Sequence, residues 1–177
     1  MVAFLTKNPY LLQDGFTDAA QSNAVTVSVP SYIFAVNAGG PAYVDTAGIH
    51  YETDRLFSGG SIVTSTVPIT GTEDDVLYQS ARTGNFAYAI PLSNGDYVVT
   101  LQFAELSKLK PGRRTFDVLI EGQEVVHKLD LVATVGPKAA YDVEIPVRVT
   151  DGVLNIRFRR SPNDATVSAI VVQTLGY

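Results

Sequence analysis

Residues 97–103 read Tyr-Val-Val-Thr-Leu-Gln-Phe, and this stretch decides the fold. The odd-numbered positions carry Tyr, Val, Leu and Phe, whereas the even-numbered positions carry Val, Thr and Gln. Side chains on a β-strand point alternately to its two faces, so this pattern predicts a strand with one face in a hydrophobic core. The first secondary structure that the sequence predicts is therefore a half-buried strand.

The same two-residue period recurs in four later segments, which lie around residues 116–120, 143–149, 154–158 and 167–171. Turn sequences separate the segments: Ser93-Asn94-Gly95, Glu121-Gly122 and Asp151-Gly152. Glycine and asparagine supply the positive φ of tight hairpins, so we expect neighbouring strands to be antiparallel. No amphipathic helix of about ten residues is predicted, and the sequence therefore favours an all-β antiparallel sandwich or jelly roll.

The first thirty residues differ in pattern from the rest of the chain. They contain turn chemistry such as Asp14-Gly15 and no sustained period, except that residues 24–29 alternate like an edge strand before Pro30. We interpret residues 1–30 as a linker or lead-in and residues 31–177 as one β-sandwich domain. A chain of 177 residues suits a single core.

Composition excludes several classes of function. The net charge of −5 and the lack of a basic stripe disfavour nucleic-acid binding, and no apolar run is long enough to insert into a membrane. The absence of cysteine excludes thiol catalysis and disulfides. The chain carries no targeting signal, and we expect it to be part of a larger extracellular or cell-surface protein.

Motifs of catalysis and metal binding are also missing. His50 and His127 are the only histidines, and neither belongs to a hydrolase or zinc motif. The acidic run Glu73-Asp74-Asp75, with Asp45, lacks the spacing of a calcium loop. We therefore predict no enzyme, no metal and no cofactor, although sequence alone leaves a pair of glycosidase carboxylates possible.

An ordered series of motifs resembles the malectin and malectin-like carbohydrate-binding modules. It covers residues 32–173 and includes Val36-Asn37-Ala38-Gly39-Gly40, Gly48-Ile49-His50-Tyr51, Phe57-Ser58-Gly59-Gly60, Asp75-Val76-Leu77-Tyr78-Gln79, Phe103-Ala104-Glu105, Thr115-Phe116-Asp117-Val118 and Val167-Ser168-Ala169-Ile170. The resemblance implies a galactose-binding-like jelly roll that holds short glucosides in a cleft between loops at one end of the sandwich.

The resemblance also implies where ligand-binding residues should lie. The family's aromatic rings fall on Ser61 or Val63, on Thr83, and on Ser107-Lys108, and its carboxylate falls on Asn163, with Asp164 one position later. None of these positions carries a ring. The sequence therefore predicts the family's site with its stacking platform replaced.

The segment 108–114 concentrates four cations, Lys108, Lys110, Arg113 and Arg114, beside the expected ligand loops. It is interpreted either as a solvated connection or as a surface for an anionic glycan or an acidic protein. Two functions remain open at this point. One is a non-catalytic carbohydrate-binding module, and the other is a structural, protein-interaction or adhesion module without a sugar site.

Overall fold

The computed structural model describes residues 32–108 and 110–175, which form two packed β-sheets with two single-turn helices. The predicted class, an all-β antiparallel sandwich of galactose-binding-like type, is confirmed. The predicted linker at residues 1–30, with its edge strand, lies outside the described residues. The strands and helices are β1 (Tyr32–Asn37), β2 (Tyr43–Val44), β3 (His50–Thr53), β4 (Phe57–Thr64), α1 (Asp75–Tyr78), β5 (Ser80–Pro91), β6 (Gly95–Phe103), β7 (Phe116–Ile120), β8 (Gln123–Leu129), α2 (Leu131–Thr134), β9 (Tyr141–Val149), β10 (Val153–Arg160), β11 (Ala165–Val167) and β12 (Ala169–Thr174).

The first sheet has the strand order β2-β3-β1-β12-β6-β9. In the second sheet β5 pairs with β4, β10 and β11, and β10 continues to β7 and β8. The inward faces of the two sheets form one hydrophobic core. As predicted, the four odd-numbered apolar residues of the 97–103 stretch are buried in it, together with the predicted inward residues of β7 and β10.

Two expectations about strand pairing are wrong in part. Of the three predicted turns, only Glu121-Gly122 joins paired strands, β7 and β8, with φ values of 49° and 75°. The turns at Ser93-Asn94-Gly95 and Asp151-Gly152 instead connect strands of different sheets. The pairing of β1 with β3 is parallel, so neighbouring strands are not all antiparallel.

The final alternating segment forms two strands rather than one. β11 pairs with β5 in the second sheet, and after Ser168 β12 pairs with β1 and β6 in the first. Residues 165–172 are all buried, because the chain passes through the interior as it changes sheets. Alternation of residue types cannot reveal such a crossing.

Helical structure is confined to α1 and α2, each four residues long, within the described residues. At the start of α2 the Asp130 side chain accepts a hydrogen bond from the Ala133 amide, which is the usual N-cap arrangement. Neither helix has the length or apolar character that crossing a bilayer would require.

Candidate functional site

A buried ion pair organises the loop that follows β6. The Glu105 carboxylate is 1% exposed and accepts a hydrogen bond from Arg114 Nε at 2.6 Å. It also accepts the backbone amides of Ser107 and Lys108, both at 2.8 Å. One carboxylate therefore holds both halves of the loop, because Ser107 and Lys108 lie in its first half and Arg114 lies two residues before β7.

The Arg114 guanidinium extends this network to the second sheet. Its Nη1 donates to Thr83 Oγ1 at 2.8 Å and to the Asp164 carbonyl at 2.9 Å. Thr83 Oγ1 in turn donates to the Ala165 carbonyl at 2.9 Å. The network thus connects β5, the β6–β7 loop and the segment between β10 and β11, which are far apart in sequence.

These segments enclose a cleft of about 290 Å³ on the surface of the domain. This volume is at the small end of the range for small-molecule sites. Of the described residues, those lining the cleft are Lys108, Arg113, Arg114, Arg160, Pro162, Asn163 and Asp164. Four of the seven are cationic, so the cleft offers a positive field to a ligand.

The charges of the cleft are compensated only in part. Arg160 forms an ion pair with Asp164, through Nε and Oδ1, and Arg114 is paired with Glu105. Lys108 and Arg113 are exposed, and neither has an ion-pair partner among the described residues. These two side chains are consequently the cations most accessible to an incoming anion.

The structure brings together three of the six residue positions predicted from sequence. Lys108, Asn163 and Asp164 line the cleft. Thr83 accepts a hydrogen bond from Arg114, which lines the cleft, and the amide of Ser107, next to Lys108, donates to Glu105.

Val63 is not among the described lining residues. It lies opposite Ala81 in the ladder between β4 and β5, whereas Ser61 lies opposite Thr83. Of the two positions that the sequence left open, Ser61 is therefore the one beside Thr83.

One part of the sequence interpretation is wrong. Arg114 does not belong to a solvated cationic surface, since it is 5% exposed and its Nε and Nη1 groups donate hydrogen bonds to Glu105, Thr83 and the Asp164 carbonyl. The exposed cations of the loop are Lys108, Lys110 and Arg113. Glu105 was missed as an organising residue, although its place three residues before the cationic segment was visible in the sequence.

A second cleft, of about 350 Å³, lies over the outer face of the first sheet. Asp45, Asp74 and Asp142 contribute to its lining. Asp74 accepts hydrogen bonds from the hydroxyls of Tyr43 and Thr46, which accounts for part of the acidic run noted in the sequence. Poor solvation raises the pKa of the Asp142 carboxyl, and hydrogen bonds from Tyr78 and Gln102 oppose the shift.

Three tyrosines direct their hydroxyls at carboxylates from buried positions. Tyr78 donates to Asp142 at 2.7 Å and Tyr88 donates to Asp54 at 2.7 Å. Burial and the neighbouring negative charges raise the pKa of each hydroxyl well above its usual value. The Tyr51 hydroxyl lies 3.3 Å from Asp45 Oδ2 and 3.0 Å from Gln102 Oε1, and burial together with the Asp45 charge raises the pKa of this hydroxyl as well.

Comparison with known families addresses the identity of this scaffold. A model of the malectin domain matches residues 32–173. The chain belongs to the malectin domain family. Malectin from Homo sapiens is 36% identical over 158 residues, which cover 84% of this chain and 54% of the human protein. Malectin-A from Xenopus laevis is 39% identical over 71% of this chain and 48% of its own length.

The proteins that this chain matches differ greatly in length. The chain spans about half the length of the malectins it matches. It also matches the kinesin-like protein KIN-14E of Oryza sativa subsp. japonica, with 33% identity over 80% of this chain and 14% of the kinesin. Sequences similar to this malectin domain therefore occur as parts of larger proteins.

Solved structures agree with the fold. The extracellular domain of ANXUR1 from Arabidopsis thaliana has a TM-score of 0.73 at 15% identity, over 80% of this chain and 48% of that one. A Bacteroides uniformis β-glucuronidase has a TM-score of 0.71 at 21% identity, over 80% of this chain and 18% of the enzyme. At these identities the similarity shows a shared sandwich and nothing about activity.

Proposed function

We propose that this chain is a non-catalytic carbohydrate-binding module and that its cleft takes an anionic glycan. The observation that carries the proposal is the coincidence of three family-predicted ligand positions, Lys108, Asn163 and Asp164, with a cationic cleft. A pyranose usually stacks on aromatic rings, and none of the described lining residues is aromatic. Cations that attract a carboxylate or sulfate replace that stacking in our proposal.

The carboxylates of the cleft support a binding role over glycoside hydrolysis. Hydrolysis requires two carboxyl groups on either side of the scissile bond, one able to donate a proton. Asp164 is paired with Arg160, and Glu105 is buried with three hydrogen bonds. Neither offers a free carboxyl group to a sugar, so binding without cleavage fits the arrangement better.

We further propose that the module is one part of a larger extracellular or cell-surface protein. The match to human malectin covers only about half of that protein, and the fold recurs in the extracellular domain of ANXUR1. The kinesin match supports the modular character but not the compartment.

Affinity electrophoresis and calorimetry with a defined panel test the proposal. The panel contains neutral dextran and maltose, carboxylated polygalacturonate and dextran sulfate, each in about 0.05 M and about 0.5 M salt. The screening length is about 4 Å at the higher salt, so an exposed charge-driven complex weakens markedly. We expect binding of the acidic glycans at low salt and loss of that binding at high salt.

Two double variants separate the cleft from the overall charge of the protein. Replacing Lys108 and Arg113 by Gln removes two exposed cations worth about 0.5–1 kcal/mol each, which predicts roughly 5- to 30-fold weaker binding. Replacing Arg148 on β9 and Arg157 on β10 by Gln removes the same amount of charge away from the cleft, and this variant should keep its affinity for the acidic glycans within about twofold. Arg114 is left intact because it is buried.

Equal affinities for the two variants would refute a site at this cleft. A preference for maltose or dextran that ignores salt would show a rebuilt neutral-sugar site instead. Failure of every glycan to bind would favour the protein-interaction alternative.

A further inference from the structure

A compact group of metal-ligand side chains lies on the β7–β8 hairpin, on the outer face of the second sheet. Asp117, Glu124 and His127 each place one ligand atom within 4.8 Å of the others. His127 Nδ1 lies 2.6 Å from Glu124 Oε1 and 3.7 Å from Asp117 Oδ1. Ligand atoms around a tetrahedral zinc ion are about 3.4 Å apart. The distance between His127 and Asp117 is close to this value, whereas His127 and Glu124, which are hydrogen-bonded, must move apart by about 0.8 Å to admit the ion.

Neighbouring groups hold the two carboxylates in this orientation. Arg159 Nη2 donates to Asp117 Oδ2 at 2.9 Å and to Glu124 Oε2 at 2.8 Å, which leaves Oδ1 and Oε1 directed at the imidazole. Asp117 Oδ1 also accepts the Lys128 amide at 2.8 Å. Hydrogen-bonded outer partners of this kind are what orient the ligands of real metal sites.

The charge of the cluster leaves room for a cation. Two carboxylates face one guanidinium, so one negative charge is not compensated by Arg159.

We infer that Asp117, Glu124 and His127 form a site for a divalent transition-metal ion of the zinc class. One imidazole and two carboxylates suit Zn²⁺, whereas Ca²⁺ and Mg²⁺ prefer sites made of oxygen alone. The ion takes the position between Nδ1, Oε1 and Oδ1, and the exposed side of His127 and Glu124 leaves a coordination position for water. The inference is independent of glycan binding at the cleft.

Zinc titration of the tag-free chain tests this site with an internal control. The chain has no cysteine and only two histidines, so His50 is the only other imidazole that could bind the ion. His50 is exposed on β3, in the other sheet, and His50→Ala is therefore a matched control for His127→Ala. Calorimetry with ZnCl₂, and with CaCl₂ and MgCl₂ for comparison, measures binding in a non-chelating buffer at neutral pH.

We expect one equivalent of Zn²⁺ to bind the wild type and the His50→Ala variant equally. His127→Ala should bind at least about tenfold more weakly, and Glu124→Gln should weaken binding by a similar factor. Zinc-edge X-ray absorption of the complex should show one nitrogen and two carboxylate oxygens, a signature that loss of folding cannot imitate. Thermal melting of each variant checks that it is folded.

Three results would overturn the inference. The first is the absence of saturable binding up to about 1 mM Zn²⁺. The second is equal affinity in wild type and His127→Ala, and the third is Ca²⁺ binding as tight as that of Zn²⁺. The first two results would identify the cluster as an ion-pair network centred on Arg159, and the third would identify a site for cations that prefer oxygen ligands.

Discussion

Replacing Glu105 by Gln removes the charge from the carboxylate that organises the β6–β7 loop. The amide keeps nearly the same shape, but its NH₂ group must face either the Arg114 Nε donor or the Ser107 and Lys108 amides, where Glu105 offers a carboxylate oxygen. Removing one partner of a buried ion pair costs about 3–5 kcal/mol. Arg114 retains Thr83 and the Asp164 carbonyl as acceptors, so we expect the low end, about 3 kcal/mol.

Urea unfolding followed by circular dichroism measures this loss as a shift in midpoint at constant slope. Glu52→Gln is the matched control, because Glu52 pairs with Arg55 and both side chains are 48% exposed. That exposed pair should contribute less than about 1 kcal/mol. A loss for Glu105→Gln no larger than that of the control would refute the reasoning.

A double variant separates the ion pair from the shape of the site. Glu105→Leu combined with Arg114→Met replaces both charges by apolar groups of similar size. We expect it to be less destabilised than the sum of the two single variants, by about 0.5–3 kcal/mol. Strictly additive losses would mean that the two side chains do not act as a pair.

Two further predictions concern backbone strain and pH. Gly39 has a φ of 73°, and an added Cβ would lie 2.8 Å from the Ala81 carbonyl oxygen, so we expect Gly39→Ala to cost roughly 3 kcal/mol of stability. Gly112→Ala is the control and should cost roughly 1 kcal/mol, because Gly112 has a φ of 74° but no atom within 4 Å of an added Cβ. Equal losses of stability in urea unfolding would contradict the role of the close contact. The pKa values of the three buried tyrosine hydroxyls are raised in the folded protein, so the unfolded chain releases those protons at lower pH. The contribution of these hydroxyls to folding stability is therefore complete below about pH 10 and is lost as the pH rises further. Tyrosinate absorbance should therefore remain incomplete until circular dichroism reports unfolding, and full ionisation of all nine tyrosines in a folded protein would contradict it.

The sequence was sufficient for the strands because a half-buried strand has a period that residue type records directly. Leu101, Phe116 and Ile156 are buried where alternation placed them. Pairing was harder to predict, because a turn of an acidic residue and Gly closes a hairpin at Glu121-Gly122 but carries the chain to the opposite sheet at Asp151-Gly152. The sequence contains no local sign of the difference between Gly122 and Gly152.

The candidate site could be located from family positions but not described from them. Lys108 and Asn163 are brought to one cleft, although 55 residues separate them in the numbering. The burial of Arg114 could not be foreseen, because it depends on acceptors from β5 and from the segment before β11. Judged by residue type alone, Arg114 cannot be distinguished from the exposed Arg113 beside it.

The passage of the chain from one sheet to the other at Ser168 has a consequence for how the domain opens. β11 is hydrogen-bonded to the second sheet and β12 to the first, with a single residue between them and full burial from residue 165 to residue 172. Neither sheet can separate locally without withdrawing this segment from the other. Its amide hydrogens should therefore exchange with solvent only through global unfolding, and the two sheets should report one common opening free energy.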